Sequence, residues 1–382
     1  MFFNKDIQTY INANLKADLH SLLLKKSPFP EVSMQEIVQQ IKGRKVAEKK
    51  FPFLLKDNII FPPNLNLEQT SSQSTAEYKS RNLKGRTFAD LTSGFGIDAY
   101  FLSENFEEIT LVEKNTELLE IVKYNWNVLG RKADFVNQNL EEFLKENTQT
   151  FDLIYLDPAR RDSNKKKVFL LEDLSPNLLE IQNELLKISE EIIIKLSPLI
   201  DLKYLISVLK NISKIEIIAI KNEVKEVLVF INSNPKNEKI LCRCVNLETE
   251  EPDFTFYFDV LKETQSDYSE PLQYLYLPNN AVLKSGAFHL ISEYFGLKKL
   301  HPNTHLYTSD DYVKNFSGRI LNVEKIDAKS LKKGEQYNII SRNYPLKPEE
   351  IKKKYQLKDG GNRYLIFTQS KQGKIILKSS ED

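Results

Sequence analysis

"KIEIIAIKNEVKEVLVFIN" occupies Lys214–Asn232, and the fold turns on how it is read. Two apolar, β-branched runs, Lys214–Ile220 and Val224–Asn232, are separated only by Lys221, Asn222 and Glu223. So short a connection closes an antiparallel hairpin, because a parallel neighbour needs a crossover of about a dozen residues or more. Upstream lie five further strand-like runs: Thr87–Leu91, Ile109–Val112, Ala133–Val136, Phe151–Leu156 and Glu191–Leu196. Helical spacing fills the intervals over Asp98–Glu104, Thr116–Leu129, Leu140–Glu146, Asn177–Ile188 and Leu199–Lys210. This alternation predicts an α/β domain: a doubly wound sheet with helices on both faces, parallel through six strands and closed by a seventh, reversed one.

The regions around that sheet read differently. Apolar residues recur at helical spacing from Lys5 to Gln40, interrupted by Pro28 and Pro30, which predicts a helical region over residues 1–50. Residues 51–82, rich in Pro, Asn, Ser and Thr, read as an extended connection packed on the next domain, which covers 83–232. After Asn232 the alternation stops. "EKILCRCVNL" (Glu238–Leu247) and "FTFYFDVL" (Phe254–Leu261) read as strands and "GAFHLISEYFGL" (Gly286–Leu297) as a helix, giving a small α+β region over 233–317. The strands and helices of 318–382 predict a second small α+β unit with an antiparallel sheet.

Composition narrows the function classes. The chain has 382 residues, 41% of them hydrophobic, and no apolar run approaches the roughly 20 residues that span a bilayer. The start, "MFFNKDIQTYINANLKADLH", lacks the apolar segment and small-residue cleavage site of a secretory signal, so a soluble cytoplasmic protein is expected. Cys242 and Cys244 share one face of a strand with no further cysteine to complete a zinc site, and His20, His289, His301 and His305 form no metal spacing. No metal is expected. Lys and Arg total 54 against 53 Asp and Glu, so overall charge does not announce a nucleic-acid binder, and local runs such as "RRDSNKKK" (Arg160–Lys167) must carry that argument.

In an open α/β sheet, ligands bind beyond the carboxyl ends of the strands. After the first strand, "DLTSGFG" runs from Asp90 through Thr92 and places Gly94 and Gly96 in the turn, where backbone can approach a ligand and take positive φ. Ala99 breaks the G-x-G-x-x-G pattern and no Gly-Lys-Ser/Thr follows, which disfavours triphosphate binding. After the second strand, Glu113 can accept from vicinal ribose hydroxyls, which NAD and S-adenosylmethionine both carry, or simply start the next helix. Gln138 and Asn139 follow the third strand, where an adenine edge would lie and where helix caps also occur. After the fourth, "FDLIYLDPARRDSNKKKVF" sets Asp157-Pro158 at the cleft, rigid and rich in acceptors, followed by Arg160, Arg161, Lys165, Lys166 and Lys167. Acceptors there can orient an exocyclic amine for in-line attack on a sulfonium methyl.

"DLTSGFGID", "LVEKN" and "LDPARR", in this order on this strand plan, resemble the cofactor and catalytic motifs of class I S-adenosylmethionine-dependent methyltransferases. That fold is defined by the reversed seventh strand, and "DLTSGFGIDAYFL" is similar to the D-x-T-x-G-x-G-x-D loop of ribosomal RNA guanine-N2 methyltransferases. Asp157-Pro158 stands where amino-methylating enzymes carry Asp/Asn-Pro-Pro-aromatic, but Ala159 and Arg160 replace the second proline and the aromatic. "EQTSSQSTAEYKS" (Glu68–Ser80), "LHPNTHLYTSDD" and the tail from Tyr337 resemble a bacterial methyltransferase group with a ferredoxin-like insert and a THUMP-like C-terminal domain. The resemblance implies S-adenosylmethionine as cofactor, with Asp90, Thr92, Gly94, Gly96, Glu113 and Asn139 around it. It also implies Asp157 and Pro158 at the target amine, and structured RNA, tRNA or rRNA, held by Arg160, Arg161, Lys165 to Lys167, Tyr78 and Lys79. "LDPAR" resembles uracil-C5 methyltransferases too, but "IIIKLSP" supplies no cysteine nucleophile. Two alternatives stand beside this expectation: an RNA-binding factor that has kept the fold without catalysis, and a methyltransferase for a small molecule or protein.

Overall fold

The computed structural model describes residues 4–63, 67–68, 70–160, 170–234, 239–262 and 264–380. The chain divides into two compact units, Met1–Ile212 with Leu228–Lys236, and Ser213–Val227 with Asn237–Asp382.

The first unit begins with helices α1 (Lys5–Ala13), α2 (Leu19–Leu23) and α3 (Met34–Lys50). Ser33 and Glu36 close a capping box on α3, and Ile7, Ile11, Leu22, Ile37, Val38 and Ile41 bury a common core. Residues 51–82 correct the expectation of an extended connection: a short 3₁₀ turn occupies Pro52–Leu54 and a helix, α4, occupies Gln73–Ser80. Ser72 caps α4 by accepting from the Thr75 N–H, a signal hidden in a Ser-rich stretch whose polarity read as linker.

The sheet then follows the predicted alternation. Strands β1 (Thr87–Asp90), β2 (Glu108–Val112), β3 (Asp134–Val136), β4 (Phe151–Leu156) and β5 (Ser189–Leu196) alternate with helices α5 (Ile97–Leu102), α6 (Thr116–Val128), α7 (Leu140–Glu146) and α8 (Leu178–Ile188). Helix α9 (Leu202–Val208) precedes β6 (Ile212–Ile220) and β7 (Glu223–Asn232), followed by β8 (Leu241–Leu247) and β9 (Phe254–Tyr257). Strand order is β9-β8-β6-β7-β5-β4-β1-β2-β3, and β1 pairs in parallel with β2 and β4, β2 with β3, and β4 with β5. Only Lys221 and Asn222 separate β6 from β7, which forces the reversal. Each inner strand is apolar because both faces are covered: Phe88, Leu111, Leu153, Ile154 and Ile193 are at most 2% exposed.

The sheet runs two strands further than expected. Strand β8 pairs in parallel with β6, and β9 pairs antiparallel with β8, so "LCRCVNL" and "FTFY" belong to this sheet and not to the small region expected over 233–317. Alternation shows that a strand exists, with Cys242 and Cys244 both buried on one face, but not which edge it joins.

Residues 274–379 of the second unit hold a separate seven-stranded sheet, built from β10 (Tyr274–Pro278), β11 (Lys298–His301), β12 (Thr304–Ser309), β13 (Gly318–Ile326), β14 (Gln336–Ser341), β15 (Lys358–Ser370) and β16 (Gly373–Ser379) in the order β11-β12-β10-β13-β16-β15-β14. Helices α10 (Asn280–Ser285), α11 (Phe288–Phe295) and α12 (Pro348–Tyr355) complete it. Leu275, Leu321, Ile366 and Leu377 form one core, and Ile351 of α12 packs with Leu365, Phe367 and Tyr337 in another.

Candidate active site

The turn after β1 is held from three sides. Asp90 is 1% exposed and its carboxylate accepts from the Thr92 N–H at 3.0 Å; burial pushes its carboxyl well above the ordinary range. The Leu91 N–H donates to Tyr155 O and the Ser93 N–H to Val112 O, which carries the turn between β4 and β2. Gly94 (φ +51°) and Gly96 (φ +74°) both occupy the left-handed region, but their surroundings differ. A Cβ on Gly96 would stand 2.9 Å from Val122 Cγ1 and 3.1 Å from Trp126 Nε1, whereas one on Gly94 would meet nothing nearer than Thr92 O at 3.9 Å. Gly96 lets α6 approach the turn, while Gly94 leaves open space over its backbone. Beside it the buried Ser93 hydroxyl has no hydrogen-bond partner among the described residues.

Strand β2 delivers Glu113 to that turn. Its Oε2 accepts from the Gly94 N–H at 3.0 Å and its Oε1 from the Asn115 N–H at 2.8 Å, so one half-buried carboxylate ties the glycine turn to the start of α6. From the tip of β3, Asn137 Nδ2 donates to Glu113 O at 2.8 Å, and Asn137 Oδ1 accepts from Thr116 Oγ1 at 2.7 Å. Asn139 instead caps α7, accepting from the Glu142 N–H at 2.8 Å. The amide nearest Glu113 is therefore Asn137, which periodicity did not single out.

At the end of β4 the Asp157 N–H donates to Thr92 Oγ1 at 2.6 Å, joining the acid of the fourth strand to the turn of the first. The Asp157 side chain is 35% exposed and its Oδ2 lies 2.5 Å from Lys195 Nζ of β5. Burial pushes the Asp157 carboxyl upward, Lys195 pulls it back, and neighbouring Asp98 adds to the rise. Behind this pair lies a buried polar cluster. Asp98 of α5 is paired with Lys79 at 2.7 Å and with Lys195 at 3.4 Å, and accepts from Ser71 Oγ and Tyr155 OH at 2.7 Å each. Burial alone would raise its carboxyl, but the two lysines and Ser71 hold it well below the ordinary carboxylate range.

Sequence reasoning missed Lys195, Asp98 and Ser71. The available signal was a lysine ending an Ile-Ile-Ile run, since a buried ammonium is rare unless paired. The cluster also corrects one expectation. The Lys79 side chain is 0% exposed and bound to Asp98, so it presents no ammonium to a phosphate; Tyr78, 6% exposed, is buried with it. Helix α4 turns both inward, which a polar linker would not. The backbone of Ala159 and Arg160 pairs antiparallel with Leu174 and Ser175, directly after Pro158. Arg161, Lys165, Lys166 and Lys167 lie outside the described residues. Among the described residues, no group of three His, Cys, Asp or Glu side chains is placed to hold a metal ion, and no helix is long and apolar enough to cross a membrane.

The donor set suits a small ligand with vicinal hydroxyls and a positive centre. There is open space over the Gly94 backbone, a carboxylate stands at the next strand tip, the neighbouring Ser93 hydroxyl is orphaned among the described residues, and a second, partly exposed carboxylate stands at the end of β4. Residues 73–190 match the family model of conserved hypothetical protein 95, residues 274–316 a ferredoxin-like domain, and residues 319–379 a THUMP domain-like model. A crystal structure of a candidate methyltransferase from Porphyromonas gingivalis W83 superposes on the chain with a TM-score of 0.87 at 29% identity, covering 100% of both chains. An uncharacterized RNA methyltransferase of Mycoplasma mobile is 30% identical over 89 residues, an alignment that spans 23% of this chain and 24% of that protein.

Proposed function

We propose that this chain, which belongs to the class I methyltransferases carrying ferredoxin-like and THUMP-like C-terminal domains, transfers a methyl group from S-adenosylmethionine to the exocyclic amine of a base in structured RNA. A guanine-N2-like target is favoured by the likeness of Asp90–Asp98 to the loop of ribosomal RNA guanine-N2 methyltransferases. The Mycoplasma relative, an RNA methyltransferase by description, supports RNA as the substrate class.

One observation carries the reading. The glycine turn is hydrogen-bonded both to Glu113, through the Gly94 N–H, and to Asp157, through Thr92 Oγ1, so the residues expected for cofactor and substrate share one hydrogen-bonded frame. When bound, the cofactor supplies an electrophilic methyl group on its sulfonium. Gly94 admits its methionine portion against bare backbone, and Glu113 accepts from the ribose hydroxyls with the lone pairs left over after binding two N–H groups. Asp157 accepts an amine N–H at Oδ1, since Oδ2 is held by Lys195, and this turns the nitrogen lone pair toward the donor. Pro158 fixes the turn that presents this acceptor. Arg160, Arg161 and Lys165 to Lys167 follow within ten residues of Asp157 and are assigned to RNA phosphates.

Titration calorimetry with S-adenosylmethionine, followed by labelled methyl transfer to total RNA from cells lacking the gene, tests this. The wild-type protein is expected to bind cofactor and label RNA. Asp157→Ala should retain cofactor binding while transfer falls by at least about a hundredfold, because the acceptor acts mainly in the transition state. No cofactor affinity in the wild type, or undiminished transfer by the variant, would refute the assignment.

A further inference from the structure

Lys195 ends the apolar run Ile192–Ile194 of β5 and is 9% exposed. Its surroundings explain how a charge survives there. Asp157 Oδ2 stands at 2.5 Å, Asp98 Oδ2 at 3.4 Å, and Ser71 Oγ accepts at 2.9 Å. Facing the same point are Lys79 from α4, the carboxyl of Asp90 from β1 and the hydroxyl of Tyr155 from β4. Burial drives Asp90 toward its neutral form, which leaves two carboxylates, Asp98 and Asp157, against two ammonium groups.

The two carboxylates are not equivalent. Asp98 has Lys79 at 2.7 Å and hydrogen bonds from Ser71 and Tyr155, so it stays ionised without Lys195. Among the described residues, Asp157 has Lys195 as its one ion-pair partner, and its Oδ1 accepts no hydrogen bond. Removing the Lys195 charge therefore loads a proton onto Asp157 rather than onto Asp98.

We propose that Lys195 is the positioning residue of Asp157: it anchors Oδ2, keeps the carboxylate charged, and leaves Oδ1 directed to the substrate amine. The inference rests on the methyl-transfer reading for its catalytic consequence, but the charge coupling is measurable without turnover. Lys195→Met and Lys195→Arg of the full chain are compared in two ways. One is the pH profile of kcat with labelled cofactor, alongside the cofactor affinity. The other is the carboxyl carbon-13 titration of aspartate-labelled protein, with the Asp157 signal identified by its loss in Asp157→Asn. Lys195→Met should bind cofactor like the wild type while both the acid limb of kcat and the Asp157 titration move up by at least about one pH unit, a loss that reaches about tenfold at pH values below the wild-type limb. Lys195→Arg should stay close to wild type. Should Lys195→Met fail to fold, Asp98→Asn gives the opposite sign, because removing the competing anion moves the Asp157 titration down. An Asp157 titration unchanged in these variants, or a loss of kcat equal at every pH, overturns the proposal. A shifted titration in a protein that transfers no methyl group sustains the coupling and removes the methyl-transfer reading instead.

Discussion

Adding a single methyl group at Gly94 or at Gly96 should produce opposite defects. Both residues hold positive φ, where an L-residue costs about 1–2 kcal/mol. At Gly94 that strain is nearly the whole effect on folding, because a Cβ there finds no protein atom nearer than 3.9 Å. Gly94→Ala should therefore lower the melting temperature by only a few degrees, roughly 2–4 °C per kcal/mol for a domain of this size. Its methyl group enters the space assigned to the cofactor, so affinity should drop at least about tenfold, or 1.4 kcal/mol. At Gly96 the added atom lies 2.9 Å from Val122 Cγ1 and 3.1 Å from Trp126 Nε1, both on α6, and overpacking adds about 1–3 kcal/mol to the backbone strain. Gly96→Ala should thus lose about 2–5 kcal/mol of stability. Urea unfolding monitored at Trp126 gives the stability and calorimetry with S-adenosylmethionine gives the affinity. Wild-type affinity in Gly94→Ala would show that nothing binds above that backbone, and wild-type stability in Gly96→Ala would show that α6 does not abut the turn.

Two further outcomes follow from the hydrogen bonds. Glu113→Ala removes an acceptor that holds both Gly94 and Asn115, so cofactor affinity should fall by at least about tenfold, read by the same calorimetry; unchanged affinity would end the ribose assignment. Asn125→Ala strips both partners from the buried backbone of Ile60, whose N–H and carbonyl it binds at 2.9 Å and 2.7 Å, and should cost about 2–4 kcal/mol, seen as a lower urea midpoint at constant slope.

Local chemistry made most of the first sheet readable. Buried strands on both faces must be apolar throughout, so Phe151–Leu156 emerged with its observed bounds, and helical spacing gave α7 over Leu140–Glu146 as observed. The three-residue link read at Lys221–Glu223, two residues long in the fold, fixed the reversal of β7, because no crossover fits in so few residues. Cys242 and Cys244 show where such reasoning stops. Their alternation identified β8 as a strand, but the edge it pairs with is chosen by contacts that a linear pattern does not contain.

The same division runs through the candidate site. Sequence determined which residues stand at the strand tips, since the glycine turn, Glu113 and Asp157-Pro158 each follow a recognisable strand at the carboxyl end where ligands bind. Tertiary structure alone decided what faces them. Ser71, Lys79, Asp98 and Lys195 come from the segment before α4, from α4, from α5 and from β5; three of them looked ordinary where they stood, a serine in a polar stretch, an acid in the first turn of α5 and a lysine near the end of a strand, and Lys79 was expected at RNA instead. They converge because a buried charge is tolerated only beside its opposite: Asp98 sits against both Lys79 and Lys195, and Lys195 reaches on to Asp157.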